Sequence, residues 1–118
     1  MRQKLVSIAV LGISLLVSSL PAFAHAVLIA STPKAHGTVH GPSIDIDLKF
    51  NSRVDGTRSS LSVVMPDGSV KTLTLSKQVE PNELIARAQL SAGNYTLRWQ
   101  ALAVDGHITR GEVPFTVA

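Results

Sequence analysis

The sequence predicts an all-β protein, a two-sheet antiparallel sandwich of the immunoglobulin-like type. Short apolar segments alternate with turn-forming residues, and no segment has the 3.6-residue period of an amphipathic helix. Short strands at this spacing are typical of a β-sandwich. The predicted strands cover residues 26–31, 44–50, 61–65, 70–75, 84–90, 94–103 and 112–117.

The segment IDIDLKF, residues 44–50, alternates apolar and polar residues without a break. Successive side chains of a strand point to opposite faces, so its isoleucines, leucine and phenylalanine are predicted to face the core. The two segments that follow, 61–65 and 70–75, are joined by Pro-Asp-Gly-Ser. These residue types suit the backbone angles of a tight turn, and they predict a hairpin.

The segments 84–90 and 94–103 are separated by a turn at Gly93. Tyr95, Leu97, Trp99 and Ala101 fall on one face of the second strand, so we expect Trp99 to be a core residue rather than a ligand-stacking platform. Pro114 lies inside the last predicted strand. Because proline lacks an N–H, that position is expected at an edge or a bulge.

The amino terminus has the layout of a secretory signal peptide. Two basic residues precede an apolar run from residue 5 to 20, and Ala22-Phe23-Ala24 matches a cleavage site. A retained membrane anchor is the alternative. A spanning helix needs about 20 apolar residues, however, and this run is shorter and is followed by Pro21. We therefore expect cleavage after Ala24, which leaves residues 25–118 as one domain in the periplasm or outside the cell.

Composition excludes several classes of function and of site. The net charge is +3, but Arg2 and Lys4 belong to the predicted leader, so the mature domain is nearly neutral and carries no basic patch for nucleic acid. There are no cysteines, and Met65 is the one methionine that remains after cleavage. A metal site would use nitrogen and oxygen donors, because soft Cu(I) sites need several sulfur ligands.

His25 would be the first residue of the mature protein. Its α-amine and ring Nδ1 could then bind the same ion and close a six-membered chelate. These donors suit borderline divalent metals, among which the affinity order peaks at Cu(II). Many exported proteins begin with histidine by chance, so this feature alone is weak.

The second candidate motif is Asp105-Gly106-His107. In an extended segment residues i and i+2 project from one face, so the carboxylate and the imidazole could converge on one ion. The alternative is an ordinary turn, because Asp-Gly is common in hairpins. If the first strand and this loop lie at the same end of the sandwich, the two motifs supply three nitrogens and one oxygen, a donor set suited to Cu(II).

The chain resembles the CopC copper-resistance family of periplasmic copper-binding proteins. The opening HAVLIASTPKAHGTV is similar to the family's H-A-x-L-x-x-S-x-P, and LRWQALAVDGHITRGEVPFTV is similar to its W-x-x-x-S-x-D-G-H-x-x-x-G-x-x-x-F-x-V, with Ala103 at the serine position. The resemblance covers residues 25–118 and implies a seven-stranded Greek-key sandwich. It also implies that His25, Asp105 and His107 bind Cu(II), with the two histidines in an arrangement like a histidine brace.

Two departures from the family pattern matter. Where the family often has F-x-E-P, this chain reads Phe50-Asn51-Ser52-Arg53, so Ser52 replaces an acidic residue. The Met-rich loop that gives some members a Cu(I) site is missing. We therefore expect one Cu(II) site, no Cu(I)/Cu(II) exchange within the molecule, and, from the resemblance, a CopD-like inner-membrane protein as partner.

Three functions remain open at this stage: a Cu(II) carrier or buffer in copper resistance or uptake, a metal-free structural or interaction domain, and a histidine-brace copper oxidase. The carrier, which is not an enzyme, is favoured because Asp105 would fill the position that an oxidase leaves open. His36 and His40 are expected to be loop histidines, with weak metal binding as the alternative. Arg110 is expected either to bond Asp105 or to be solvated.

Overall fold

The structure is a computed structural model that describes residues 25–118. The predicted leader, residues 1–24, lies outside this range. Within the range there is no helix long and apolar enough to cross a membrane. Eight strands follow one another: β1 (Leu28–Thr32), β2 (Gly37–Val39), β3 (Ser43–Phe50), β4 (Ser60–Val64), β5 (Val70–Leu73), β6 (Glu83–Gln89), β7 (Gly93–Leu102) and β8 (Ile108–Val117).

The strands form two sheets, and the predicted β-sandwich is confirmed. One sheet has the order β1-β3-β6, and the other has the order β2-β8-β7-β4-β5. Neighbouring strands are antiparallel except for β2, which pairs in parallel with the end of β8. The first strands thus divide between the two sheets, so β1 joins one sheet and β2 the other.

The core lies between the sheets and is built by the alternation of β3 and β7. Every second residue of both strands is buried, as predicted from residue 44 to 50 and from 95 to 101. Phe50 of β3 meets Trp99 of β7 edge to face, with 5.2 Å between the ring centroids. This is a favourable geometry for an aromatic pair, and it confirms that Trp99 belongs to the core.

β1 begins two residues later than predicted and β5 ends two residues earlier, and the largest differences concern β2 and β8. The sequence analysis placed a loop where the structure has β2, because a strand of three residues gives no alternating pattern. The structure therefore has eight strands instead of about seven. Strand β8 begins at Ile108 rather than at residue 112. Glycine is uncommon inside strands, so Gly111 hid this part of β8 in the sequence. The structure requires glycine there, because a Cβ would lie 2.4 Å from Cζ2 of Trp99.

Pro114 lies within β8 opposite Thr96 of β7. Its carbonyl accepts a hydrogen bond from the His36 N–H at 2.6 Å, on the side of β8 that faces away from β7. The missing N–H of proline therefore faces that same side, and the β7–β8 ladder loses no donor.

Candidate metal centre

His25, Asp105 and His107 lie together at one end of the sandwich. His25 is close to the start of β1, while the other two residues belong to the loop between β7 and β8. One potential ligand atom of each residue lies within 4.8 Å of the other two. The two imidazole rings are 4.8 Å apart and inclined by 67°. Among residues 25–118, this is the one group of three or more His, Cys, Asp or Glu side chains with such spacing.

The Asp-Gly-His segment is a hairpin loop and not the extended segment that the sequence analysis considered. The Ala103 N–H donates to the His107 carbonyl at 2.9 Å, and the Gly106 N–H donates to the Ala103 carbonyl at 3.0 Å. Gly106 has a φ of +85°, a conformation that glycine adopts without steric cost. The turn itself brings the carboxylate and the imidazole together, so the turn and the candidate ligand pair are the same structure.

Asp105 is held by two hydrogen bonds from the same residue. Its Oδ2 contacts Nδ1 of His107, and its Oδ1 accepts the backbone N–H of His107 at 3.0 Å. The side-chain bond first, and the backbone bond after it, hold the pKa of Asp105 below its ordinary value. The carboxylate therefore remains ionised well below neutral pH. Nδ1 of His107 therefore faces the carboxylate of Asp105.

The three side chains are accessible from solvent and nearly close enough to share an ion. The His107 side chain is 64% exposed and that of Asp105 is 21% exposed. Metal–nitrogen and metal–oxygen bonds of about 2 Å allow donors to be at most about 4 Å apart, so binding requires a closure of roughly 1 Å. Imidazole and carboxylate donors fit copper or zinc. In the uncleaved chain the His25 nitrogen is a peptide nitrogen, so only cleavage after Ala24 would add an amine donor.

Of the two alternatives for Arg110, the structure favours the solvated one, because Arg110 is exposed and bonds Gln100 rather than Asp105. Its Nε donates to Oε1 of Gln100 at 2.9 Å. The two residues are directly opposite in the β7–β8 ladder, so their side chains project from the same face of the sheet. The contact that orients Asp105 comes from His107 instead.

Ser52, the residue that replaces an acidic one in the CopC-like pattern, lies in the chain between two residues that contact the segments of the candidate site. The neighbouring Asn51 bonds the backbone of Val27, and Val54 bridges to Ala103, just before the Asp-Gly-His loop. The Ser52 Oγ is buried and has no hydrogen-bond partner among the described residues.

His36 and His40 lie in the segments on either side of β2. His36 occupies a turn closed by a hydrogen bond of 2.9 Å from the Gly37 N–H to the Lys34 carbonyl, and it has a φ of +62°. Both histidines are exposed, and neither belongs to the group formed by His25, Asp105 and His107.

Two residues that the sequence analysis did not single out, Asn51 and Thr109, bond the backbone that follows His25. Both are common polar residues, and nothing in their local sequence marks these contacts. Their partners are 24 and 83 positions away in the chain, so a local pattern carries no signal for them.

Comparison with known proteins gives consistent matches over most of the chain. Protein YobA of Escherichia coli K12 is 31% identical over 115 residues, which cover 94% of this chain and 91% of YobA. The crystal structure of CopC from Methylosinus trichosporium OB3b superposes with a TM-score of 0.70 at 30% identity, covering 79% of this chain and 93% of that one. PcoC, described as a methionine-rich copper resistance protein from Escherichia coli, superposes with a TM-score of 0.69 at 26% identity, covering 80% and 100%.

A family model also matches this chain. The model of the CopC domain covers residues 28–118, a range that contains Asp105 and His107 and begins three residues after His25. The family match agrees with the sandwich topology and with the solved relatives. The chain belongs to the CopC family.

Proposed function

We propose that this protein is a periplasmic carrier or buffer of Cu(II). After cleavage behind Ala24, one ion would be bound by the amine and imidazole of His25, by His107 and by Asp105. The observation that carries the proposal is the convergence within 4.8 Å of His25 with Asp105 and His107, which lie in a loop far away from His25 in the chain. The copper-related description of PcoC, a relative with the same fold, supports copper as the cargo.

The donor types favour the oxidised ion. Three nitrogens and one oxygen suit the tetragonal coordination of Cu(II), whereas Cu(I) prefers thiolates and thioethers. The chain has no cysteine, and Met65 is the one methionine among residues 25–118. In this respect the chain differs from PcoC, whose description names a methionine-rich protein. We infer that one Cu(II) site serves the whole domain.

The exposure of the site supports release to another protein. Four of the large exposed apolar side chains, those of Val27, Ile29, Val104 and Ile108, flank the candidate ligands along the chain. Contiguous exposed apolar side chains mark interaction surfaces, and we propose that these four form one such surface. A receiving protein, which the family resemblance suggests is a CopD-like inner-membrane protein, would contact these side chains while its own ligands reach the ion.

A competitive Cu(II) titration of the mature protein tests the site. We expect His25→Ala and His107→Ala each to weaken Cu(II) binding by more than about 100-fold. The loss of a residue that only orients a ligand costs less, about 10- to 100-fold. His36→Ala and His40→Ala are matched controls, because both histidines are exposed and outside the site. Equal, small effects of all four substitutions would contradict the proposal.

The carrier function also predicts no catalysis. Four donors from three residues fill the equatorial positions of Cu(II), so little space remains for activation of oxygen. The copper-loaded protein with ascorbate should therefore consume oxygen no faster than an equal concentration of copper bound to a simple chelator. Sustained turnover above that level would favour an oxidase instead.

A further inference from the structure

The backbone that follows His25 is held before the first strand begins. The Ala26 carbonyl accepts a hydrogen bond from Oγ1 of Thr109 at 2.9 Å. The Val27 N–H donates to Oδ1 of Asn51 at 2.8 Å, and the Val27 carbonyl accepts the Asn51 N–H at 2.9 Å. Strand β1 starts only at Leu28. Three hydrogen bonds thus fix two residues that would otherwise precede the sheet.

Side-chain packing of this segment is uneven. Ala26 is 1% exposed and belongs to the core, whereas the larger side chain of Val27 is 53% exposed. One methyl group buries little apolar area, so packing alone gives the segment modest stability. The first residues of a domain are usually poorly ordered unless other contacts fix them. The bonds from Asn51 and Thr109 supply those contacts here.

The positions of the two bonding residues relate the contacts to the candidate site. Thr109 is two residues after His107 on the chain, and it pairs with Ala101 inside the β7–β8 ladder. Its bond to Ala26 therefore connects the residue after His25 to β8, the strand that begins directly after His107. Asn51 directly follows the end of β3, and it bonds Val27, the residue after Ala26. The two imidazole rings lie 4.8 Å apart in this arrangement.

We propose that Asn51 and Thr109 are positioning residues that hold the terminal histidine ready to chelate through its amine and its imidazole. The inference rests on the proposed function, because it requires His25 to be the first residue of the mature protein. Without these bonds, the terminal residue would sample many conformations, and metal binding would have to order it. Each bond lost should weaken Cu(II) binding by about 3- to 10-fold.

The role of Thr109 is tested by combining substitutions at this position with an extension of the amino terminus. Cu(II) affinity is measured for the protein that begins at His25 and for the same protein with one extra alanine before it. Thr109→Val removes the hydroxyl with little change of shape, and it should weaken binding by about 3- to 10-fold in the first protein. In the extended protein it should change nothing, because no amine chelate forms there. Thr109→Ser keeps the hydroxyl and should retain the affinity.

Asn51 is tested with a matched control on the same strand end. Asn51→Ala removes the acceptor for the Val27 N–H. Asn82→Ala removes a similar bond, in which Nδ2 of Asn82 donates to the Phe50 carbonyl at 3.0 Å, but this bond fixes the end of β3 and not the segment after His25. Both variants should lose some stability to urea in the metal-free state. Only Asn51→Ala should weaken Cu(II) binding, and only in the protein that begins at His25.

The two proposals fail in different ways. If the extension leaves the affinity of the unsubstituted protein unchanged, the amine is not a ligand, and both the proposed site and the positioning role are wrong. If the extension weakens binding but Thr109→Val and Asn51→Ala cost the same in both proteins, or cost nothing in either, the site stands and the positioning role is overturned. Urea unfolding of each metal-free variant confirms that the affinities compare folded proteins.

Discussion

Asp105 shows how one residue can serve both a turn and a metal site. Its carboxylate accepts hydrogen bonds from the ring and from the backbone of His107, and these bonds lower its pKa. A carboxylate kept ionised in this way is available as an anionic ligand, and it also orients the imidazole that would bind beside it. A common hairpin residue thus acquires a chemical role from its neighbour.

Asp105→Asn should therefore weaken Cu(II) binding by at least about 10- to 100-fold, because the amide brings no negative charge to the ion and orients His107 less firmly. Asp67→Asn is the matched control. Asp67 accepts the Ser69 N–H at 2.9 Å in the hairpin between β4 and β5, outside the group of candidate ligands. Similar affinities for both variants and the parent in a competitive titration would show that Asp105 is not a ligand.

Glu83 is a buried carboxyl outside the site. The pKa of Glu83 is raised, first by burial and then by the negative charge of Asp47. The positive charge of Lys49, whose Nζ lies 3.9 Å from the Glu83 carboxylate, opposes this shift but does not cancel it. Folding therefore favours the protonated form. The contribution of this group to stability is greatest below the ordinary carboxyl pKa of about 4.3, and it is lost as the pH rises through the raised folded-state value.

Glu83→Gln should raise the free energy of unfolding at neutral pH, and the difference from the parent should shrink at about pH 3, where the unfolded carboxyl is also protonated. Urea unfolding at both pH values measures this. Glu112→Gln is the control, since Glu112 is 59% exposed and its pair with Arg98 should contribute little. A loss of stability at neutral pH in Glu83→Gln would contradict the argument.

At the scale of elements, the pairing of β7 with β8 builds both the core and the site. The ladder runs from Gly93 opposite Val117 to Leu102 opposite Ile108, and the candidate ligand loop closes its end. Gly111, opposite Trp99, leaves room for the indole ring. This long hairpin positions two of the three candidate ligands, and β1 brings the third.

Gly111→Ala tests this packing, because the new Cβ would lie 2.4 Å from the Trp99 ring and force it to move. We expect a loss of about 1–3 kcal/mol in the free energy of unfolding, the usual cost of an overpacked core. Gln89→Ala, at an exposed position of β6, should change it by less than about 0.5 kcal/mol. A Gly111→Ala variant as stable as the parent would show that the ring can move freely.

The elements that the sequence predicted are those with a repeating pattern. Alternation marks β3 and β7, and a Pro-Asp-Gly-Ser turn marks the β4–β5 hairpin. Strand β2 was missed because its three residues are fixed by parallel pairing with β8, which leaves no local pattern. The three candidate ligands were identified from motifs, but the turn geometry of Asp105 and the contacts of Asn51 and Thr109 depend on residues that only the folded chain brings together.

At the scale of the whole molecule, the candidate site connects the two sheets. His25 precedes β1 of one sheet, and His107 precedes β8 of the other. An ion bound between them would link both sheets, and a ligand that binds only the folded state stabilises it by an amount that grows with the logarithm of the ligand excess. Metal binding and folding should therefore be coupled in the mature protein.

Cu(II) at about 100 times its dissociation constant should add about 2.7 kcal/mol to the free energy of unfolding. For a domain of this size, each kcal/mol raises the melting temperature by roughly 4–8 °C. Calorimetry with and without Cu(II) measures the shift. His107→Ala should show a much smaller shift, and an equal shift in both proteins would place the bound copper elsewhere.

The most direct test of the central claim is a competitive Cu(II) titration of two proteins, one that begins at His25 and one with a single alanine before His25. The extension leaves every side chain in place and converts the amine of His25 into a peptide nitrogen. We predict that it weakens Cu(II) binding by orders of magnitude, because the six-membered chelate is lost. Equal affinities for the two proteins would contradict a copper site built on the mature amino terminus.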